Sequence, residues 1–252
     1  MFGTQINSKP ELLKSQINKA IKLNYNIVQL FVHTNPKYSQ YYDSLNKYLV
    51  KKNIKCVVHI SYTINLCKNW NKYSWWVSQL ESEIIIAHKI GAIGIVIHLG
   101  KLKDLSLSDG LDNMYLLLLY IHNKTLQYSL VKIFIETSSG QKSEICWKLK
   151  ELAMFYNKLS HIDRFGICVD TCHIFVSGID IRTKSNIKKF LKLFDKLIGI
   201  EHIKLIHLND SKNILGSKID RHETIGNGHI GFDGLDRIKN IFLDKNIPII
   251  ME

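Results

Sequence analysis

Short apolar runs alternate with longer amphipathic segments along the whole chain. The runs Phe2–Ile6, Ile27–Val32, Lys55–Ile60, Ile93–Leu99, Val131–Ile135, Phe165–Val169, Ile203–Leu208 and Ile247–Met251 have the length and β-branched content of strands buried on both faces. Between them, Pro10–Leu23, Gln40–Lys51, Ser74–Ile90, Leu111–Leu126, Ser143–Leu159, Lys184–Leu197 and Asp233–Leu243 read as helices, the first opened by Ser8 as a cap and Pro10 in the first turn. Strand and helix in strict alternation, with eight strands, predict an α/β fold, a single (β/α)8 TIM barrel over residues 1–252. A doubly wound nucleotide-binding sheet would need a Gly-rich first turn, and Asn7-Ser8-Lys9-Pro10 is not one. No helical segment follows the last run, so the eighth helix is expected to be absent from this chain. That absence would expose apolar side chains such as Ile249 and Met251, through an early end of the chain or at a seam covered by another segment or subunit.

Composition narrows the setting. Of the 252 residues, 46% are hydrophobic and 22% charged, which excludes a disordered chain. No apolar stretch approaches the roughly 18 residues of a membrane span. The start lacks a basic segment followed by an apolar one, so an intracellular protein, cytoplasmic or nucleus-associated and not secreted, is expected. Five cysteines without a CxxC argue against a disulfide framework or a thiolate zinc site. The formal charge is +12, and 30 of the 34 basic residues are lysine. Lysines suit phosphates as point charges, whereas base reading favours bidentate arginine, so a polyanion bound without sequence preference fits, as does plain compositional bias.

Candidate chemistry collects where a parallel barrel places it, at the C-terminal ends of strands. The third strand ends in Val58-His59-Ile60-Ser61-Tyr62, the fourth in Ile97-His98-Leu99, and the fifth in Ile135-Glu136-Thr137. The sixth ends in Val169-Asp170-Thr171-Cys172-His173, the seventh in Ile206-His207-Leu208-Asn209-Asp210, and the eighth in Met251-Glu252, with Asp220-Arg221-His222 following the seventh. A lone histidine closing an apolar strand is ordinarily a hydrogen-bonded core residue. Together, His59, His98, Glu136, Asp170, His173, His207, Asp220, His222 and Glu252, nine imidazoles and carboxylates converging on one mouth, would repel one another without metal. They are ligand types for zinc or similar divalent ions, too many for one tetrahedral ion and enough for two or three. Clustered divalent ions are suited to phosphoryl displacement, which agrees with the basic charge.

On these residues the chain resembles the endonuclease IV family of apurinic/apyrimidinic endonucleases of base-excision DNA repair. The stretches that carry the resemblance are residues 57–66, 98–100, 136–141, 166–183, 207–231 and the final Ile-Pro-Ile-Ile-Met-Glu. The resemblance implies three zinc ions per chain: one on His59, His98 and Glu136, a second on Glu136, Asp170, His207 and Glu252, and a third on His173, Asp220 and His222. It implies cleavage of the phosphodiester 5′ to an abasic site in double-stranded DNA, leaving a 3′-hydroxyl and a 5′-deoxyribose phosphate. Glu136, Glu252 and Asp170 are the implied catalytic residues. Tyr62, Lys212 and Arg221 are the implied DNA contacts, and a monomer with no membrane partner is expected.

Two loops depart from the family pattern. Thr4-Gln5-Ile6-Asn7-Ser8-Lys9 replaces a His-Val-Ser turn with paired glycines, and His33-Thr34-Asn35-Pro36-Lys37-Tyr38 replaces an arginine-bearing loop. His33 could contact DNA from there; His88, His122, His161 and His202 are assigned no chemistry. Two other classes use the same barrel. A sugar isomerase or epimerase would take one or two metals and leave His173, Asp220 and His222 without a role. A non-catalytic damage-binding protein would be expected to have lost a bridging ligand.

Overall fold

The eight apolar runs become eight parallel strands that close on themselves. In chain order these are β1 (Phe2–Gln5), β2 (Ile27–Phe31), β3 (Lys55–His59), β4 (Gly94–His98), β5 (Lys132–Glu136), β6 (Phe165–Asp170) and β7 (Ile203–His207). A short pair, β8 (Asp210–Ser211) and β9 (His222–Glu223), precedes the last barrel strand, β10 (Ile249–Met251). Around the barrel the order is β1-β10-β7-β6-β5-β4-β3-β2. The computed structural model describes residues 1–252.

The lumen is filled by one small cluster, Ile27, Val57, Val96, Phe134, Cys168, Leu205 and Ile250, one side chain from each barrel strand except β1. On β1, Gly3 approaches Ile27 so closely that a Cβ would meet its carbonyl. The Phe134 ring similarly needs Gly94 beside it, where a Cβ would stand 2.4 Å away. The lumen floor is therefore apolar and tightly filled below a polar mouth.

Outside the strands lie α1 (Leu13–Lys22), α2 (Ser39–Lys52), α3 (Trp75–Ile90), α4 (Leu107–Lys124), α5 (Leu149–Tyr156), α6 (Thr171–Val176), α7 (Lys184–Leu197) and α8 (Phe232–Asp244). Their apolar faces bury against the strands in a single cluster of 61 residues. None is long and apolar enough to cross a membrane. No helix follows β10 within these residues.

The expected exposure at that seam is not found. Ile249 is fully buried in the outer cluster with α8 packed against its strand, and Met251 is half-buried. Two further readings are corrected. The helix expected over Ser143–Leu159 starts only at Leu149, because Glu144 bridges to Lys101 and Cys146 adopts a left-handed φ of 58°. Ser8 does not cap a helix; its hydroxyl accepts the N–H of Phe31 at 2.8 Å and ties the first loop to the end of β2.

Candidate metal centre

Register brings the candidate ligands to one level. His98 is paired with Glu136 across β4 and β5, and Asp170 with His207 across β6 and β7. His59 ends β3, and Glu252 follows β10. The chain then turns sharply after β6, because Asp170 Oδ1 accepts the His173 N–H at 2.8 Å and so caps α6. That turn returns His173 to the mouth. The β8–β9 pair, with Ser211 opposite His222, lays Asp220 and His222 over it from the other side.

Hydrogen bonds select which ring nitrogen faces inward. His59 Nδ1 donates to the Ile60 carbonyl and His173 Nδ1 to the Thr137 carbonyl, each at 2.8 Å. Glu252 Oε1 accepts the Gln29 amide N–H at 2.7 Å, so the Gln29 carbonyl faces His207 and accepts from its Nε2 at 2.9 Å. The remaining nitrogens are His59 Nε2, His173 Nε2 and His207 Nδ1, each a lone pair when the ring is neutral. All three point at carboxylate oxygens. His59 Nε2 lies 3.4 Å from Glu136 Oε2, His173 Nε2 3.2 Å from Asp220 Oδ2, and His207 Nδ1 2.9 Å from Glu136 Oε1 and 3.3 Å from Glu252 Oε2. Each of these contacts needs a proton or a metal ion between nitrogen and oxygen.

Titration behaviour follows the same logic. Burial opposes every charge here, yet Asp170, Asp220 and Glu136 hold His173, and Cys168 with Glu252 and Glu136 holds His207, well above the usual imidazole range. Glu136 is held well below the carboxylate range by His98 and His207 in spite of its burial. Burial wins at two positions: it pushes His98 down to about 4 and raises the Asp170 carboxyl. The His98 Nε2 and Glu136 Oε2 atoms, 3.3 Å apart and buried, have no hydrogen-bond partner. Buried polar atoms without partners are rare, and two facing each other at a mouth fit a cation.

Potential ligand atoms lie within 4.8 Å of one another in the sets His59, His98, Glu136; Glu136, Asp170, His207, Glu252; and His173, Asp220, His222. The structure thus brings all nine expected residues together, with Glu136 shared. It also places Cys172 in a set with Asp170 and His222, although burial pushes its thiol up to about 12. Three supporting groups were not anticipated from sequence. Gln29, Asn209 and Asp210 are buried; Asn209 Nδ2 donates to Asp170 Oδ2 at 2.7 Å and to Glu252 Oε2 at 3.0 Å. A polar residue inside the apolar run of β2, and the Asn-Asp after His207, were the available signals.

The three expected DNA contacts are divided. Tyr62 is 64% exposed, with its ring 4.9 Å from that of His59, on a loop held by Glu83, which accepts the Ser61 N–H at 3.0 Å. It borders a groove of about 630 Å³ that His33, Lys37 and Tyr38 also line. Lys212 and Arg221 sit across the mouth, paired by the Lys212 N–H to the Arg221 carbonyl and exposed.

A barrel with such a mouth defines a class, and residues 17–240 match the family described as the xylose isomerase-like TIM barrel. A putative endonuclease 4 of Acanthamoeba polyphaga mimivirus is 37% identical over 215 residues, covering 82% of this chain and 68% of that protein. A probable endonuclease 4 of Staphylococcus epidermidis is 36% identical over 199 residues, 78% of this chain and 65% of its own length. The matched region thus spans about two thirds of these relatives. The crystal structure of endonuclease IV from Thermus thermophilus has the same fold, with a TM-score of 0.79 at 23% identity over all of this chain and 91% of that one. The chain belongs to the endonuclease 4 family within the xylose isomerase-like barrels.

Proposed function

We propose that this chain is a zinc-dependent apurinic/apyrimidinic endonuclease, hydrolysing the phosphodiester 5′ to an abasic site to leave a 3′-hydroxyl and a 5′-deoxyribose phosphate. The observation that carries the reading is the unpartnered pair His98 Nε2 and Glu136 Oε2 at the centre of nine converging ligands. His59, His98 and Glu136 would hold one ion; Glu136, Asp170, His207 and Glu252 a second; His173, Asp220 and His222 a third. Bound ions would supply Lewis-acid activation of water and neutralise charge on the phosphate and its leaving oxygen.

The chain's own groups do the rest. Glu136 and Glu252 orient the attacking water through their carboxylate oxygens, with Glu252 fixed by Gln29 and Asn209. Asp170 keeps its geometry through Asn209 and the α6 turn. Tyr62 presents an exposed ring to the sugar that lacks a base, where an aromatic can fill the gap in the stack. Lys212 and Arg221 would contact flanking phosphates, positioning the duplex without reading bases. The damaged nucleotide must leave the helix to reach the mouth, a step made cheaper by its missing base.

The test is incubation of the zinc-loaded protein with a duplex holding one tetrahydrofuran abasic analogue. A single cut 5′ to the lesion is expected, with Glu136→Gln reducing cleavage at least 100-fold while retaining binding to the duplex. An uncut duplex at full zinc occupancy, or undiminished cleavage by Glu136→Gln, contradicts the reading.

A further inference from the structure

We propose that Asp210 is a positioning residue whose carboxylate folds the β8–β9 arm, so that Asp220 and His222 can join His173 around the outermost cation. The inference rests on the metal centre proposed above.

Asp210 is fully buried, and no lysine, arginine or histidine lies within salt-bridge distance of it. A buried carboxylate without compensation is costly. Here the compensation is five backbone N–H donors. Oδ1 accepts from Ser211 at 2.8 Å, Ile230 at 3.0 Å and Gly231 at 3.3 Å; Oδ2 accepts from Gly226 at 2.9 Å and Gly228 at 3.1 Å. Four of the five come from Gly226-Asn227-Gly228-His229-Ile230-Gly231, which has the GxGxxG spacing and leads directly into α8. Such a run before a helix commonly wraps a phosphate, because free N–H groups and the helix N-terminus favour negative charge. In this chain the anion is internal.

The glycines are required by that wrapping. Gly226 and Gly231 hold φ values of +90° and +79°, and a Cβ on Gly228 would stand 2.5 Å from both Asp210 Oδ1 and the Ser211 carbonyl. The same residues position the metal-holding arm. Asp210 and Ser211 pair with Glu223 and His222, and the His229 N–H donates to the Ser211 carbonyl at 2.7 Å. His173, in contrast, is fixed by α6 and the Thr137 carbonyl. Loss of the Asp210 charge should therefore loosen one side of the outer site and leave the buried sites alone.

Asp210→Asn keeps size and removes charge. Amide exchange should accelerate at residues 226–231 while the β7 amides stay protected. Equilibrium zinc binding should show the outer site lowered by about 10–100-fold, the usual effect of removing a group that orients ligands, with the other sites unchanged. Accelerated exchange with an unaltered outer site overturns the proposal, as does unaltered exchange. Should Asp210→Asn not fold, Gly228→Ala presses on the same oxygen and must give the same selective loss; loss at all sites or at none overturns it. A wild-type chain without a third zinc would contradict the proposed metal centre and take this inference with it.

Discussion

The residues that orient the ligands are as informative as the ligands. Gln29 is a fully buried amide in an otherwise apolar strand, and both ends of it are used: its oxygen accepts from His207 Nε2 and its nitrogen donates to Glu252 and Gln5. Replacing it by leucine leaves an imidazole N–H without an acceptor and leaves the Glu252 carboxylate held by the Asn209 amide alone. Gln29→Leu should weaken zinc binding by about 10–100-fold, measured by competition with a coloured chelator, while the barrel stays folded. Unchanged affinity would mean that the His207 tautomer does not matter. Six of the nine candidate ligands, His59, His98, Glu136, Asp170, His207 and Glu252, were legible because strand ends in a parallel barrel face a common mouth; His173, Asp220 and His222, on α6 and the β8–β9 arm, were read only from the segments that follow those ends. Gln29 was not, since a polar residue within a strand run signals neither face nor partner. Asn209 and Asp210 stood beside His207 in plain view, but their roles depend on β10 and on residues 226–231, which register alone brings near.

At the scale of elements, all eight strands were legible from the alternation of short and long apolar segments, with ends displaced by one or two residues. Helix boundaries were less so where side chains compete for the backbone. The start of α5 is delayed by the Lys101–Glu144 bridge and the left-handed Cys146, neither of which leaves a periodic signature. The six-residue α6 was hidden inside a stretch read for its ligands, and its start depends on Asp170 acting as both cap and candidate ligand. The helix α7 is the contrasting case. Its bounds, Lys184–Leu197, agree with the sequence reading, and Thr183 caps it by accepting the Asn186 N–H at 3.2 Å. Thr183→Ala should cost about 1 kcal/mol. In a chain of this size that corresponds to a fall of about 2–4 °C in Tm by calorimetry, with zinc binding unaffected. No change in Tm would show that the cap is not made in solution.

Across the whole molecule, an apolar lumen floor supports a charged mouth. Tight filling around Phe134 holds the strands in register, and register is what sets His98 against Glu136 and Asp170 against His207. The surrounding charge of +12 favours a polyanion without specifying sequence, as suits an enzyme that would recognise missing bases rather than present ones. On the proposed reading, the four carboxylates and five imidazoles of the mouth need bound cations to complete it. Stepwise zinc addition to metal-free protein, with nicking of an abasic duplex followed at each step, tests this need directly. Cleavage should rise with zinc and reach its plateau at three ions per chain; a plateau at one ion, or a fully loaded protein that leaves the duplex intact, would contradict the account.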